Sequence, residues 1–113
     1  MANPAIEYAD GSKHWFLNDK RHREDGPAIE AADGTEKWYR AGTLHREDGP
    51  AIEYSNGTLV WYYAGVIHRE DGPAIKYIDG NVCWYLNGTE YTDDEFRMIQ
   101  FNNKVYIKQE VEA

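Results

Sequence analysis

Hydrophobic and polar positions along this chain follow a fixed step rather than a local alternation alone. Pro occurs at 4, 27, 50 and 73, and Trp at 15, 38, 61 and 84, each step being 23 residues. Ile6, Ile29, Ile52 and Ile75 keep the step, as do Gly11, Gly34, Gly57 and Gly80. His-Arg-Glu-Asp-Gly-Pro-Ala-Ile is spelled out at 22–29, 45–52 and 68–75, while Asn-Pro-Ala-Ile at 3–6 is its remnant. A period of this length marks a repeat architecture, in which each unit buries its apolar side against its neighbours.

Within each unit the pattern predicts β-hairpins. Asp33-Gly34 stands between two short apolar-bearing runs, a strong hairpin signal, and Asp10-Gly11, Asn56-Gly57 and Asp79-Gly80 repeat it. Read as a two-residue loop, Asp33-Gly34 sets Ala32 against Thr35, Ile29 against Trp38, Glu30 against Lys37 and Ala28 against Tyr39. Alternation then puts Ile29, Ala31 and Trp38 on one face, extended by Tyr8, Tyr54 and Tyr77, with Glu30 and Tyr39 on the other. A second turn follows at Asn18-Asp19, Ala41-Gly42, Ala64-Gly65 and Asn87-Gly88. Across Ala41-Gly42, Leu44 opposes Tyr39 and His45 opposes Trp38. The expected fold is an all-β repeat, an elongated twisted antiparallel sheet of four 23-residue hairpin units spanning residues 1–91.

The period breaks at Tyr91, where a fourth His would stand. Residues 92–113 read as a C-terminal cap. Thr92-x-x-Glu95 has the form of a capping box, and Asp93 and Asp94 suit a helix N-terminus. A short helix is expected from about 93 to 101, ended by Asn102-Asn103, with Phe96, Ile99, Gln100 and Asn103 on the face toward the last hairpin. Val105 to Val111 reads as a strand or a trailing end. The first strand shows no cap, which makes its edge a candidate for pairing with another chain, including a homodimer.

Composition narrows the functional classes. The 113 residues carry 12 Lys and Arg against 20 Asp and Glu, a formal net charge of −8. That balance disfavours direct binding of nucleic acid or an anionic membrane through the whole surface. Aromatics at 14% argue for a folded chain. No run approaches the ~18–20 apolar residues of a membrane span, and the start does not read as a signal peptide, so a cytoplasmic protein is expected. One cysteine, Cys83, leaves no internal disulfide and no Cys-rich zinc site; in this register it opposes Lys76 and reads as a packed or half-exposed thiol rather than a nucleophile.

The His-Arg-Glu-Asp blocks carry the richest chemistry. A catalytic reading makes His45 a base oriented by Asp48 or Glu47. The structural reading packs each His on Trp and ties its ring nitrogen to the Glu-Asp-Gly-Pro turn. Three equivalent copies favour structure, because an active site is normally unique, and no nucleophile recurs beside them. A metal shared between successive His is disfavoured too: equivalent positions lie about 9.6 Å apart across two strands, against zinc–ligand distances of about 2.0–2.1 Å. No cofactor, metal site or enzymatic activity is expected.

Two recurring rows remain as a binding surface. Tyr39, Tyr62 and Tyr85, continuing Phe16, are aromatics a single sheet cannot bury on both sides, and such residues dominate interface hot spots. Glu30 and Glu53 on the Tyr face, with Glu47 and Glu70 along one edge, add regularly spaced negative charge. That charge either solubilises the face or imitates a phosphate backbone, with Arg23, Arg46 and Arg69 neutralising part of it.

Trp38-Tyr39-Arg40-Ala41-Gly42-Thr43-Leu44-His45, its equivalents from Trp61 and Trp84, and the following Asp-Gly-Pro-Ala resemble the MORN family of short β-hairpin repeats, especially its variant forms. The Trp15 unit departs, with Asp19 in place of the Gly. The His-Arg-Glu-Asp-Gly-Pro-Ala form, closing in Leu-Asn-Gly and Thr-Asp-Asp-Glu-Phe, is similar to repeat proteins of large bacteriophages and giant viruses. The resemblance covers about four-fifths of the chain. It implies a non-catalytic protein-binding module and, through the viral context, a phage-encoded inhibitor of a host defence protein such as a CRISPR–Cas nuclease complex. The other expectation is a self-associating virion or assembly component.

Overall fold

A computed structural model of the chain describes residues 5–104. The fold is built from antiparallel β-hairpins in a sheet, followed by one C-terminal helix. Nine short strands lie side by side in the order Ile6–Glu7, Lys13–His14, Ile29–Glu30, Glu36–Lys37, Ile52–Glu53, Leu59–Val60, Ile75–Lys76, Val82–Leu86 and Thr89–Tyr91. Three further two-stranded hairpins pair Phe16–Leu17 with Lys20–Arg21, Tyr39–Arg40 with Thr43–Leu44, and Tyr62–Tyr63 with Val66–Ile67. The molecule is elongated, with extents of 61 × 33 × 18 Å.

The second turn has the expected register. Tyr39 opposes Leu44, and the His45 N–H donates to the Trp38 carbonyl. Both loop residues are left-handed in every copy: Ala41 and Gly42 at φ 51° and 89°, Ala64 and Gly65 at 51° and 87°, Asn87 and Gly88 at 50° and 82°. Two positive φ values in a two-residue loop define the type I′ turn, whose twist matches that of the strands it joins.

The first turn corrects the expected register. Gly34 is left-handed at φ 95° while Asp33 is not. The Gly34 N–H donates to the Ala31 carbonyl and the Ala31 N–H to the Thr35 carbonyl, so the loop holds three residues rather than two. Asp33 Oδ1 fixes it by accepting the Thr35 N–H at 2.9 Å. Ile29 therefore opposes Lys37, not Trp38, and Glu30 opposes Glu36, not Lys37. Likewise Cys83 opposes Ile75 rather than Lys76.

A one-residue shift exchanges the faces. Ile29, Lys37, Ile52, Val60, Ile75 and Cys83 form one cross-strand row. Strand alternation adds Tyr85 to that face and puts Trp84 on the other, and the same alternation applies to Tyr39 and Tyr62. Trp thus leaves the Ile face, and Tyr joins it. On the Ile face Ile52 and Val60 are buried at 4% and 7% exposure, while Tyr54 and Tyr77, expected to extend a Trp-lined core, are exposed. Ala28, Ala51 and Ala74, each fully buried, mark where the chain enters the sheet after each Pro.

The helix spans Asp93–Lys104, three residues beyond its expected end and through both Asn102 and Asn103. Its start is the predicted capping box: the Glu95 N–H donates to Thr92 Oγ1 at 3.1 Å and the Thr92 N–H to Glu95 Oε1 at 2.9 Å. Phe96, 1% exposed, packs on the Trp84 indole with ring centroids 4.7 Å apart. The expected strand at Val105–Val111 lies outside the described residues.

Ala41 and Ala64 occupy a conformation that strains an L-residue with a Cβ and that Asn tolerates. Ala41→Asn and Ala64→Asn are each expected to raise stability by about 0.5–1 kcal/mol, read as a higher urea midpoint with unchanged slope. A lowered midpoint contradicts the type I′ assignment.

Candidate functional site

The His-Arg-Glu-Asp-Gly-Pro-Ala segments assemble around arginine. The guanidinium carbon of Arg46 sits 3.8 Å from the Trp38 ring centroid, and Arg23 on Trp15 and Arg69 on Trp61 repeat the stack at 3.8 and 4.0 Å. Arg46 Nε donates to Asp48 at 3.0 Å, and Nη1 to the Pro50 carbonyl and to Glu53, both at 3.1 Å. Arg23 makes the same set with Asp25, Pro27 and Glu30. Arg69 binds Asp71 and the Pro73 carbonyl, and the third carboxylate is missing because Lys76 stands where Glu30 and Glu53 do. One planar fork thus covers an indole and fastens the loop that leads into the next hairpin.

This arrangement explains the glycine. A Cβ at Gly26, Gly49 or Gly72 would meet the arginine Cζ at 2.8, 3.0 and 2.8 Å. The residue is small to admit the guanidinium, not to reach an unusual φ.

Histidine has a different task from the one expected. The Ala41 N–H donates to His22 Nδ1 at 2.9 Å; the Ala64 N–H and Asn87 N–H donate to His45 Nδ1 and His68 Nδ1 at 2.8 Å. Since Nδ1 accepts, the proton of the neutral ring is assigned to Nε2, which donates to Glu24 at 2.6 Å and to Glu47 and Glu70 at 3.3 Å. Each ring therefore bridges its own loop to the type I′ turn one period on. The indole is stacked by arginine, not by histidine.

An open groove of about 900 Å3 lies between the loops at Arg46–Pro50 and Arg69–Asp71, with Trp61 and Tyr63 along it. Its charged groups are engaged with one another: Asp48 with Arg46, Asp71 with Arg69, Glu70 with His68. Among the described residues no cluster of three or more His, Cys, Asp or Glu is placed to hold a metal ion. No described helix is long and apolar enough to cross a membrane.

The residues expected to form one binding surface fall on two faces. Tyr39, Tyr62 and Tyr85 are half-buried on the Ile face. Burial pushes the Tyr62 phenol above its ordinary pKa, and the nearby Tyr54 and Tyr39 hydroxyls add to the effect. Tyr85 is raised by burial and then by Glu90 and Cys83, and the Cys83 thiol by burial and then by Glu90. Glu30 and Glu53 lie on the opposite, Trp-lined face, held by Arg23 and Arg46. Glu47 and Glu70 are exposed on the loops. Sequence reasoning missed the arginines as organisers and missed Tyr54, Tyr77 and Glu90 as neighbours of the tyrosine row. Their signal was present in the constant eight-residue step from Trp to Arg and three-residue step from Arg to Gly.

Gly49→Ala is expected to lower stability by about 1–2 kcal/mol by displacing the guanidinium, and much less in an Arg46→Met background. Equal penalties in both backgrounds, measured by urea unfolding, contradict the packing explanation.

Acid and alkali act through different groups. The pKa of Glu24 is lowered by its bond from His22, that of Asp33 by the Thr35 N–H, and that of Asp71 by Arg69. Depressed carboxylates stabilise the fold above their unfolded pKa and lose that contribution as pH falls through the folded value. Tyr62, Tyr85 and Cys83 are raised, so their contribution is complete below the unfolded pKa and is lost as pH rises through the folded one. The melting temperature is therefore expected to fall both below about pH 4 and above about pH 9, and a profile flat across either limb contradicts these assignments.

The chain matches no protein-family model, no curated protein and no solved structure.

Proposed function

We propose that this chain is a non-catalytic protein-binding module, a four-unit array of MORN-like variant hairpins that presents its tyrosine face to a partner protein. What supports this reading is the surface made by Tyr39, Tyr62 and Tyr85 with the exposed Tyr54 and Tyr77 beside them. A row of rigid aromatics, each with a polar tip, suits a protein interface. The Trp-lined face, by contrast, is occupied by its own arginines, and the carboxylates Glu30, Glu53, Glu47 and Glu70 each have an internal partner. In this proposal those carboxylates supply steering charge around the interface, and imitation of a nucleic-acid backbone is a secondary element.

The resemblance to phage repeat proteins supplies the biological setting: a phage-encoded inhibitor that binds a bacterial defence protein, such as a CRISPR–Cas nuclease complex, in the host cytoplasm. Self-association as an assembly component is the second reading, favoured by the first strand, whose Ile6 is 52% exposed.

Expression in a bacterium with an active CRISPR–Cas system is expected to restore plaque formation by a targeted phage. Tyr39→Ser/Tyr62→Ser/Tyr85→Ser, with circular dichroism confirming the fold, is expected to abolish the rescue; Tyr54→Ser/Tyr77→Ser tests the same face through exposed residues. Rescue retained by both variants contradicts the tyrosine interface. Absence of rescue by the wild-type chain against CRISPR–Cas and other nuclease defences overturns the inhibitor reading.

A further inference from the structure

We propose that copies of this chain join head to tail, the strand Ile6–Glu7 of one copy adding to the sheet edge at Val82–Cys83 of the next; this rests on the self-association reading above and deepens it by naming both surfaces.

Among the described residues Val82–Cys83 has a strand on one side only, whereas Lys13–His14, Glu36–Lys37 and Leu59–Val60 have one on each side. The Trp15 N–H donates to the Ala28 carbonyl at 2.8 Å, the Trp38 N–H to Ala51 at 2.7 Å and the Trp61 N–H to Ala74 at 2.8 Å. In each case a Pro-Ala-Ile strand returns from the loop and pairs beside the tryptophan: His14 opposes Ile29, Lys37 opposes Ile52 and Val60 opposes Ile75. In the last unit Trp84 pairs with Tyr91 and the chain then enters the helix, so among the described residues Val82 and Cys83 pair only with Lys76 and Ile75. The helix substitutes for other parts of a following unit. Phe96 takes the place of arginine on the indole, and Glu95 binds the Thr92 N–H, where Arg23, Arg46 and Arg69 donate to Tyr39, Tyr62 and Tyr85 carbonyls. It does not supply the returning strand, and a groove of about 700 Å3 lies along Gly80–Trp84, bounded by Thr92, Asp93, Glu95 and Arg97.

The occupant is spelled in the same chain. Residues 4–8 read Pro-Ala-Ile-Glu-Tyr, identical to residues 50–54, which fill this position beside Lys37 and Trp38. Ile6–Glu7 pairs on one side with Lys13–His14 and, among the described residues, has no strand on the other. Its Ile6 is 52% exposed where Ile52 is 4% exposed. Joining the two edges in the register of the interior pairs sets Ile6 of one copy opposite Cys83 of the next and Glu7 opposite Val82. The two surfaces differ, so the contact is heterologous and propagates into chains of copies rather than closing as a two-fold dimer.

Cys83 makes the register testable with one substitution. Within a chain, positions 6 and 83 are seven strand spacings apart, about 34 Å, far beyond the Cα separation of about 4.4–6.8 Å that a disulfide allows. Ile6→Cys under mild oxidation is expected to give a ladder of products rising in 13.1-kDa steps on a non-reducing gel. Glu7→Cys, on the other face of the strand, is expected to give no ladder beyond the Cys83–Cys83 background of the wild type. Dimers alone from Ile6→Cys overturn the head-to-tail register while leaving self-association through the first strand standing. A single 13.1-kDa species for the wild type at every concentration in sedimentation overturns self-association altogether.

Discussion

The fold depends on an arginine laid flat on a tryptophan. Strands of two residues bury little, and a sheet made of them has no second layer to hold it. Arg23, Arg46 and Arg69 meet that shortage locally: each shields an indole face from water, satisfies a proline carbonyl, and ties a loop acid and, for the first two, a strand acid to one cation. The neighbouring residues follow from that placement. Glycine admits the guanidinium, proline offers its carbonyl, alanine enters the sheet without bulk, and histidine reaches forward to the next turn. The joint therefore acts both within a hairpin and between hairpins.

That accounting also decides what the conspicuous charged residues are for. A His-Arg-Glu-Asp string invites a catalytic reading, yet every member has a structural partner. Histidine's Nδ1 accepts a backbone N–H, the acids hold arginine or histidine, and the arginine is stacked. These contacts hold the loops in place. The opposite face carries the exposed Tyr54 and Tyr77 beside the tyrosine row, and it is there that a partner is proposed to bind.

Much of this was legible in the sequence. The period, the position and register of the second turns at Ala41-Gly42 and its equivalents, and the capping box at Thr92–Glu95 follow from residue type and spacing alone. The first turn did not, because Asp33-Gly34 satisfies the residue preferences of a two-residue loop while Asp33 lacks the positive φ such a loop needs and its carboxylate accepts the Thr35 N–H. The polar residues at Ser12, Thr35, Thr58 and Asn81, each donating its N–H to the acid or amide two positions back, were the available signal. One residue of slip reversed the faces, so the tyrosine and glutamate rows, expected together, lie apart. The helix ran through Asn102 and Asn103 because local stop signals of this kind are weak in a helix already anchored by Phe96 on Trp84. The arginine stack was hidden for another reason: alternation patterns class arginine as outward-facing, whereas its stem and planar fork cover apolar surface.

The claim that the Arg–Trp joint organises the molecule is measured most directly by a double-mutant cycle of Arg46→Met and Trp38→Leu, with stability taken from urea unfolding. The account predicts favourable coupling of about 0.5–2 kcal/mol, largely insensitive to salt because the contact is stacked. Coupling within error of zero, with the two single losses simply adding, would contradict it.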